Sequence, residues 1–375
     1  MYDRVNKWGG AERVLLALHE MFPDAPFYTS VYDEKGAAWA LSFPKIYTSF
    51  LQKIPFAKRA HEFLGTFMPL AFETFNFDKY DLVISVTSEA AKGIITKPGT
   101  LHICYMLTPT RYLWSHYDLY FKSPILRFIS KPVVNYLRVW DKIAASRPDK
   151  IIAISTEVAR RIKKYYGRDS EIVFPPVDDF SSHRKKLLLR GPLLGAASRN
   201  FFDDAYLYVG RLVQYKKVDL LVDVFNKLGK KLVIVGSGSE EKRLKTKSKK
   251  NIKFVGEVSD GELIGYYCGA KALIMPQEED FGITSVEAQS FGVPVIAYNK
   301  GGAQDTVIDG KTGVLFSGQN FRSLADAIAK FEKMSFNDKL LAENAARFIQ
   351  KPPFRSYFGR WWRHSSLAKI PRKNS

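Results

Sequence analysis

Cysteine is almost absent from this sequence of 375 residues: only Cys104 and Cys268 occur, each inside an apolar stretch. That excludes a disulfide framework and reads as two buried thiols of a reducing compartment. No Cys/His cluster has the spacing of a metal site, and no D-x-D motif occurs. Long hydrophobic runs are missing as well. The apolar stretches are short and broken by polar residues, too short to cross a bilayer. Met1–Trp8 lacks the apolar core of a secretory leader. Acidic residues are few beside basic ones, 38 against 57, which leaves a net charge of +19. Such a field favours an acidic partner: nucleic acid, an anionic membrane surface or a phosphate-rich substrate. The excess gathers in His183–Lys186, in Lys242–Lys250 and in the tail from Lys351, which has seven Lys/Arg and no Asp or Glu. Taken singly, each run also fits a solvated face.

What is present is an alternation of strand and helix patterns. Nearly continuous apolar runs at Leu82–Val86, Ile151–Ile154, Leu232–Val235, Ala272–Met275 and Val293–Ala297 suit strands buried on both faces of a parallel sheet. Helix-period segments lie between and after them: Ala11–Met21, Thr156–Tyr166, Val218–Leu228, Gly261–Cys268, Ser323–Phe331 and Asn337–Phe348. The pattern predicts an α/β chain of two Rossmann-like, doubly wound domains. Residues 1–174 form the first, 175–204 an irregular linker, 205–335 the second, and 336–375 a helix and basic tail. In open α/β sheets ligands sit beyond the carboxyl ends of the strands. The segments to inspect are therefore Gly210-Arg-Leu212, Gly236–Gly238, Gly256–Val258 and the stretch after Met275.

Arg211 directly follows a strand, and Lys216 opens the next helix. Two cations beside a helix N-terminus make a diphosphate clamp, although Arg and Lys at a strand end are common. Gly236-Ser-Gly238 is half a dinucleotide fingerprint and reads better as a tight turn. Trp8-Gly-Gly-Ala-Glu-Arg13 is a Gly-Gly turn that either presents N–H groups to a ligand or serves packing alone. In Glu279…Glu287 a glycine turn, Phe281-Gly282-Ile283-Thr284, separates two carboxylates. Thr284-Ser-Val-Glu287 has the pattern of a capping box. The alternative is that the carboxylates accept hydrogen bonds from sugar hydroxyls and a ribose diol.

Together these motifs resemble the family 4 glycosyltransferases of GT-B architecture, close to the bacterial mannosyltransferase-like members that build surface polysaccharides. The resemblance rests on Gly9-Gly-Ala-Glu-Arg13 with Phe22-Pro-Asp-Ala-Pro26, Thr108-Pro-Thr-Arg-Tyr-Leu-Trp114 and Phe174-Pro-Pro-Val-Asp178. It rests equally on Gly210-Arg-Leu…Lys216, Glu279…Glu287 and Gly301-Gly…Gly310-Lys-Thr-Gly313, in that order. It implies two domains facing a cleft, and sugar transfer with retention from GDP-mannose or a UDP-sugar. No cofactor and no metal take part. The acceptor is a lipid-linked saccharide at the inner face of the cytoplasmic membrane, whose anionic surface suits the charge. Arg211 and Lys216 would hold the diphosphate; the backbone of Phe281, Gly282, Ile283 and Thr284 would hold sugar and diphosphate. Glu279 would act beside the reacting centre and Glu287 on the ribose, with Val258 bordering the base. Gly9 and Gly10 would approach the diphosphate from the other domain.

Four departures stand out. Leu107 occupies the place of a family histidine, and Gln304-Asp305 stands for the usual Pro-Glu. Only eight residues precede Gly9, and none is strand-like, so the first strand is expected to be missing and the chain to start at an internal Met. Residues 349–375 read as a frameshifted tail, or as a membrane-surface segment with Trp361 and Trp362; 180–203 raise the same question. Other readings are an inactive binding or scaffold module, a GT-B-shaped epimerase or phosphorylase, and a nucleic-acid binder, for which nothing beyond charge speaks.

Overall fold

The computed structural model describes residues 1–55, 61–121, 123–177, 204–349 and 354–359. The expectations for 180–203 and for Trp361 and Trp362 lie outside these. The chain divides into two compact units: Met1–Pro176, which the residues 354–359 join, and Val177–Gln350. The sequence reading had instead set 336–375 apart; the Asp338–Ile349 helix lies in the second unit.

In the first unit, β1 (Phe27–Thr29) pairs with β2 (Ile46–Thr48), and β3 (Leu82–Thr87), β4 (Leu101–Met106), β5 (Lys150–Ala153) and β6 (Glu171–Ile172) pair in that order, all parallel. No regular strand precedes Gly9, but its place is not empty. Met1–Val5 fill the seam between β1 and β3, where Tyr2 forms bridges to both Thr29 and Val86, and Val5 to Tyr32. The segment has no strand pattern because its pairing is intermittent, and because Asp3 points inward. The Asp3 carboxylate accepts the backbone N–H groups of Ser88, Ala90 and Ala91 at 2.7–2.8 Å, and the Thr87 hydroxyl at 2.9 Å. These contacts satisfy its charge inside the unit.

β4 escaped the sequence reading because His102 and Cys104 interrupt its apolar run. Both are fully buried. His102 Nε2 lies 2.8 Å from the Ser85 hydroxyl, and burial lowers the imidazole to about 3. Burial pushes the Cys104 thiol up to about 12. Cys268, expected to be buried, is exposed, since it sits on the outer side of the Asp260–Gly269 helix.

A 23-residue helix, Pro124–Ser146, packs Val134, Leu137, Ala144 and Ala145 inward together with one acid, Asp141. Asp141 pairs with Lys92 at 2.6 Å and accepts from Thr110, Trp114 and Tyr166 at 2.9, 2.7 and 2.6 Å. The Thr108–Trp114 motif is thus held by an internal ionic knot. Residues 354–359 form a helical turn whose Phe354, Tyr357 and Phe358 are buried; the rings of Phe354 and Phe358 lie 5.5 and 6.0 Å from that of Tyr105. This part of the tail packs as ordinary core rather than as a membrane segment.

The second unit is one six-stranded parallel sheet. Its strands are β7 (Ala205–Val209), β8 (Leu232–Val235), β9 (Ile252–Gly256), β10 (Ala270–Met275), β11 (Val295–Tyr298) and β12 (Gly313–Phe316), in the order β12-β11-β10-β7-β8-β9. Apolar clusters cover both faces, as the unbroken hydrophobic runs require. The order reverses between β7 and β10, and a crevice opens at the carboxyl ends of such a pair.

Candidate functional site

The residues following β7 and β10 meet at that reversal. After β7 the chain turns through Gly210 and Arg211 into the Gln214–Lys216 turn, and the Val218–Leu228 helix begins. After β10 it runs through Pro276 to Gly282, and the Ile283–Ser290 helix begins. Lys216 forms an ion pair with the Glu279 carboxylate although 63 residues separate them; the two side chains are 13% and 16% exposed. Arg211 is exposed and donates to the Tyr215 hydroxyl at 2.8 Å. Tyr208, buried at the end of β7, feels both charges. Burial and then the Glu279 carboxylate hold its hydroxyl well above the usual range, while Arg211 pulls the other way.

Gly282 lies at φ 87, in the left-handed region, and caps the Ile283–Ser290 helix with no side-chain hydrogen bond. A side chain there would be strained, and its Cβ would come 2.8 Å from Met275 Cε. Because the helix starts at Ile283, Thr284 stands inside its first turn. The expected capping box is therefore not formed at Thr284 and Glu287. It occurs at Ser259 and Glu262, where the hydroxyl and the carboxylate exchange backbone bonds across the Asp260–Gly269 start. The Ile283–Ser290 start is left with its N–H groups and dipole unopposed by any capping side chain.

Two glycine stretches hold this floor together by close backbone approach. A Cβ on Gly236 would lie 2.1 Å from the Gly210 carbonyl oxygen, and one on Gly302 2.1 Å from that of Phe281. The Gly236–Gly238 stretch is thus a packing turn. Gly302 N–H also donates to the Glu279 carbonyl at 2.8 Å, pinning the loop that carries the carboxylate.

Other expected residues fall elsewhere. Glu287 is 2% exposed and accepts the Tyr267 hydroxyl at 2.8 Å, so one of its oxygens is committed to the neighbouring helix. The Phe281 ring is buried against Phe348; only its backbone can serve a ligand. Val258 packs on the core beside β9, and the adjacent Glu257 accepts from Ser237. Gly9 and Gly10 begin the Gly10–Met21 helix in the first unit, where a Cβ on Gly9 would approach Glu12 Oε2 to 3.1 Å. Leu107 follows β4, its N–H on the Thr87 carbonyl at 2.8 Å.

Sequence reasoning passed over Gln277. It is buried, its Nε2 donates to Glu279 at 2.6 Å, and its Oε1 has no hydrogen-bond partner among the described residues. Its position two residues beyond β10 was the available signal. Together the strand ends supply two cations, a carboxylate, an amide and an uncapped helix start. This set suits a ligand that carries phosphate at one end and hydroxyls at the other.

Residues 202–351 match the family of glycosyl transferases, group 1. The chain is 29% identical over 226 residues to the capsular polysaccharide biosynthesis glycosyltransferase CapM of Staphylococcus aureus, covering 55% of this chain and 57% of CapM. It is 33% identical over 178 residues to a GDP-mannose-dependent α-(1-6)-phosphatidylinositol monomannoside mannosyltransferase of Mycobacterium tuberculosis, covering 43% and 44%. The chain thus spans about half the length of these curated relatives. Among solved structures, Anabaena HepE in complex with UDP and glucose superposes with a TM-score of 0.65 at 18% identity, covering 98% of each chain. The fold is that of the GT-B glycosyltransferases.

Proposed function

We propose that the chain is a retaining, metal-independent glycosyltransferase. It moves a hexosyl group from a nucleotide-diphosphate sugar, GDP-mannose or a UDP-sugar, to a lipid-linked saccharide in surface-polysaccharide synthesis. The observation that carries this reading is the meeting of Lys216 and Glu279 at the β7/β10 reversal, beside the uncapped Ile283–Ser290 helix. Breaking the bond between sugar and diphosphate leaves negative charge on the departing phosphate. Arg211, Lys216 and the helix start would meet that charge. Glu279, an acceptor-only group, would hold a sugar hydroxyl next to the reacting carbon, with the free Gln277 oxygen as a second acceptor. Lys216 would turn from Glu279 toward phosphate as the donor enters, and Glu287 would hold the ribose.

The named dependence of the mycobacterial relative on GDP-mannose and the UDP in HepE support the two donor classes. The net charge of +19 supports a peripheral place on the anionic inner face of the cytoplasmic membrane. Purified protein is to be screened against nucleotide sugars by protection from thermal unfolding, then supplied with lipid-linked acceptor in chelator. Retained configuration at the transferred sugar is the expected result. An inverted product, or no protection by any GDP or UDP compound, would overturn the reading.

A further inference from the structure

The Pro124–Ser146 helix carries a second, outward face that its inward packing leaves uncovered. Ile125, Phe128, Ile129, Tyr136, Val139 and Ile143 recur at helical spacing and are 52% to 79% exposed. A stripe of this size exceeds what scattered surface residues produce, and marks a contact surface. Its edge is charged with one sign. Arg127, Lys131, Arg138 and Lys142 are the helix's only other charged residues, because its single acid, Asp141, is buried against Lys92. Tyr117, Arg127, Lys131 and Arg138 line a groove of ≈ 360 Å³ along that edge. Arg138 is fixed there by the Leu113 carbonyl at 2.8 Å and lies over the Tyr117 ring at 4.9 Å.

We propose that this face lies in the surface of an anionic bilayer, with the groove receiving a lipid phosphate. The proposal rests on the membrane-bound acceptor of the function above and names the surface that meets the lipid. A helix of 23 residues is ~35 Å long. An apolar face with a cationic edge is the composition of a helix that lies in the interface plane. The helix does not span: none of the helices of the described residues is long and apolar enough to do so. A second copy of the chain is the other occupant to weigh. Asp118, exposed beside the groove, pairs with Arg127 at 3.3 Å, but Lys131, Arg138 and Lys142 outnumber it, so a two-fold contact along this helix would still bring like charge against like. Lipid phosphate answers it directly.

The test is co-sedimentation of the full-length protein with vesicles of phosphatidylcholine, alone or mixed with phosphatidylglycerol. The wild type is expected to bind the anionic vesicles at least about ten-fold better, and Phe128→Glu/Ile129→Glu to lose that binding by about ten-fold or more. Both should keep the same nucleotide-induced thermal shift, since the changes are on exposed positions of the other unit. Equal sedimentation of variant and wild type would overturn the proposal. So would a wild type that ignores vesicles, or one that forms a dimer the variant abolishes while neither binds lipid. Failure of the donor reading shows separately, as absence of the nucleotide shift in the wild type.

Discussion

Each unit contains a lysine–carboxylate pair, and the two pairs live in opposite surroundings. Lys92 and Asp141 are each 1% exposed, and Thr110, Trp114 and Tyr166 close around the carboxylate. Lys216 and Glu279 are 13% and 16% exposed, at strand ends, with an orphaned amide oxygen and an uncapped helix beside them. The first pair has all its partners within the fold. The second lies at strand ends, where an entering ligand can reach it. A buried pair is a poor source of stability relative to apolar packing but expensive to break. A partly buried pair at a sheet reversal stands where a ligand entering the crevice can compete for its partners.

The largest effect expected from breaking this contrast is in the first unit. Asp141→Ala leaves Lys92 charged and unanswered, and should cost about 3–5 kcal/mol in denaturant unfolding. Lys92→Met/Asp141→Leu should cost much less than that. A loss of under about 1 kcal/mol in Asp141→Ala would show the knot to be incidental.

Acid should act next, and on the first unit's interior. Burial, then the N-terminal ammonium, then Arg168 and Arg147 lower His102 to about 3 from 6.5. The unfolded chain therefore binds the extra proton between those values. The stability due to neutral His102 is full above pH 6.5 and falls as pH drops toward 3, by on the order of a few kcal/mol. His102→Gln should flatten the pH dependence of unfolding in that window; an unchanged slope would refute the assignment.

The smallest effects separate structure from binding in the second unit. Tyr267→Phe removes one buried hydrogen bond and should cost ~1 kcal/mol without altering nucleotide affinity. Glu287→Gln, which can still accept from Tyr267, should lower donor affinity with little change in stability. Calorimetric titration with GDP and UDP beside thermal melts checks both; the reverse outcome would make Glu287 a purely structural group.

Much of the second unit was legible. The strands Leu232–Val235 and Ala272–Met275 and the helix Val218–Leu228 follow from apolar runs and helix period, because a parallel sheet covered on both faces leaves few choices. The first unit was harder. Its seam segment, Met1–Val5, makes only isolated bridges, and polar His102 sits inside β4. The Pro124–Ser146 helix contains Pro132, a residue that normally breaks a helix, and its apolar side chains face outward as well as inward. At the site, spacing pointed to Arg211, Lys216 and Glu279, but spacing has no term for direction. It could not show that Glu287 turns to Tyr267, that Phe281 turns inward, or that Gly282 rather than Thr284 stands at the helix cap.

The account depends most on the claim that the Lys216–Glu279 pair marks the donor site. Its most direct test is titration of full-length protein with GDP and UDP, comparing wild type, Arg211→Ala and Lys216→Met at one ionic strength. Loss of a charge-assisted contact to phosphate, about 1.5–3 kcal/mol, predicts that each variant weakens binding by roughly ten-fold or more while melting within a degree or two of wild type. Nucleotide affinity unchanged in Lys216→Met, with the wild type binding, would contradict it.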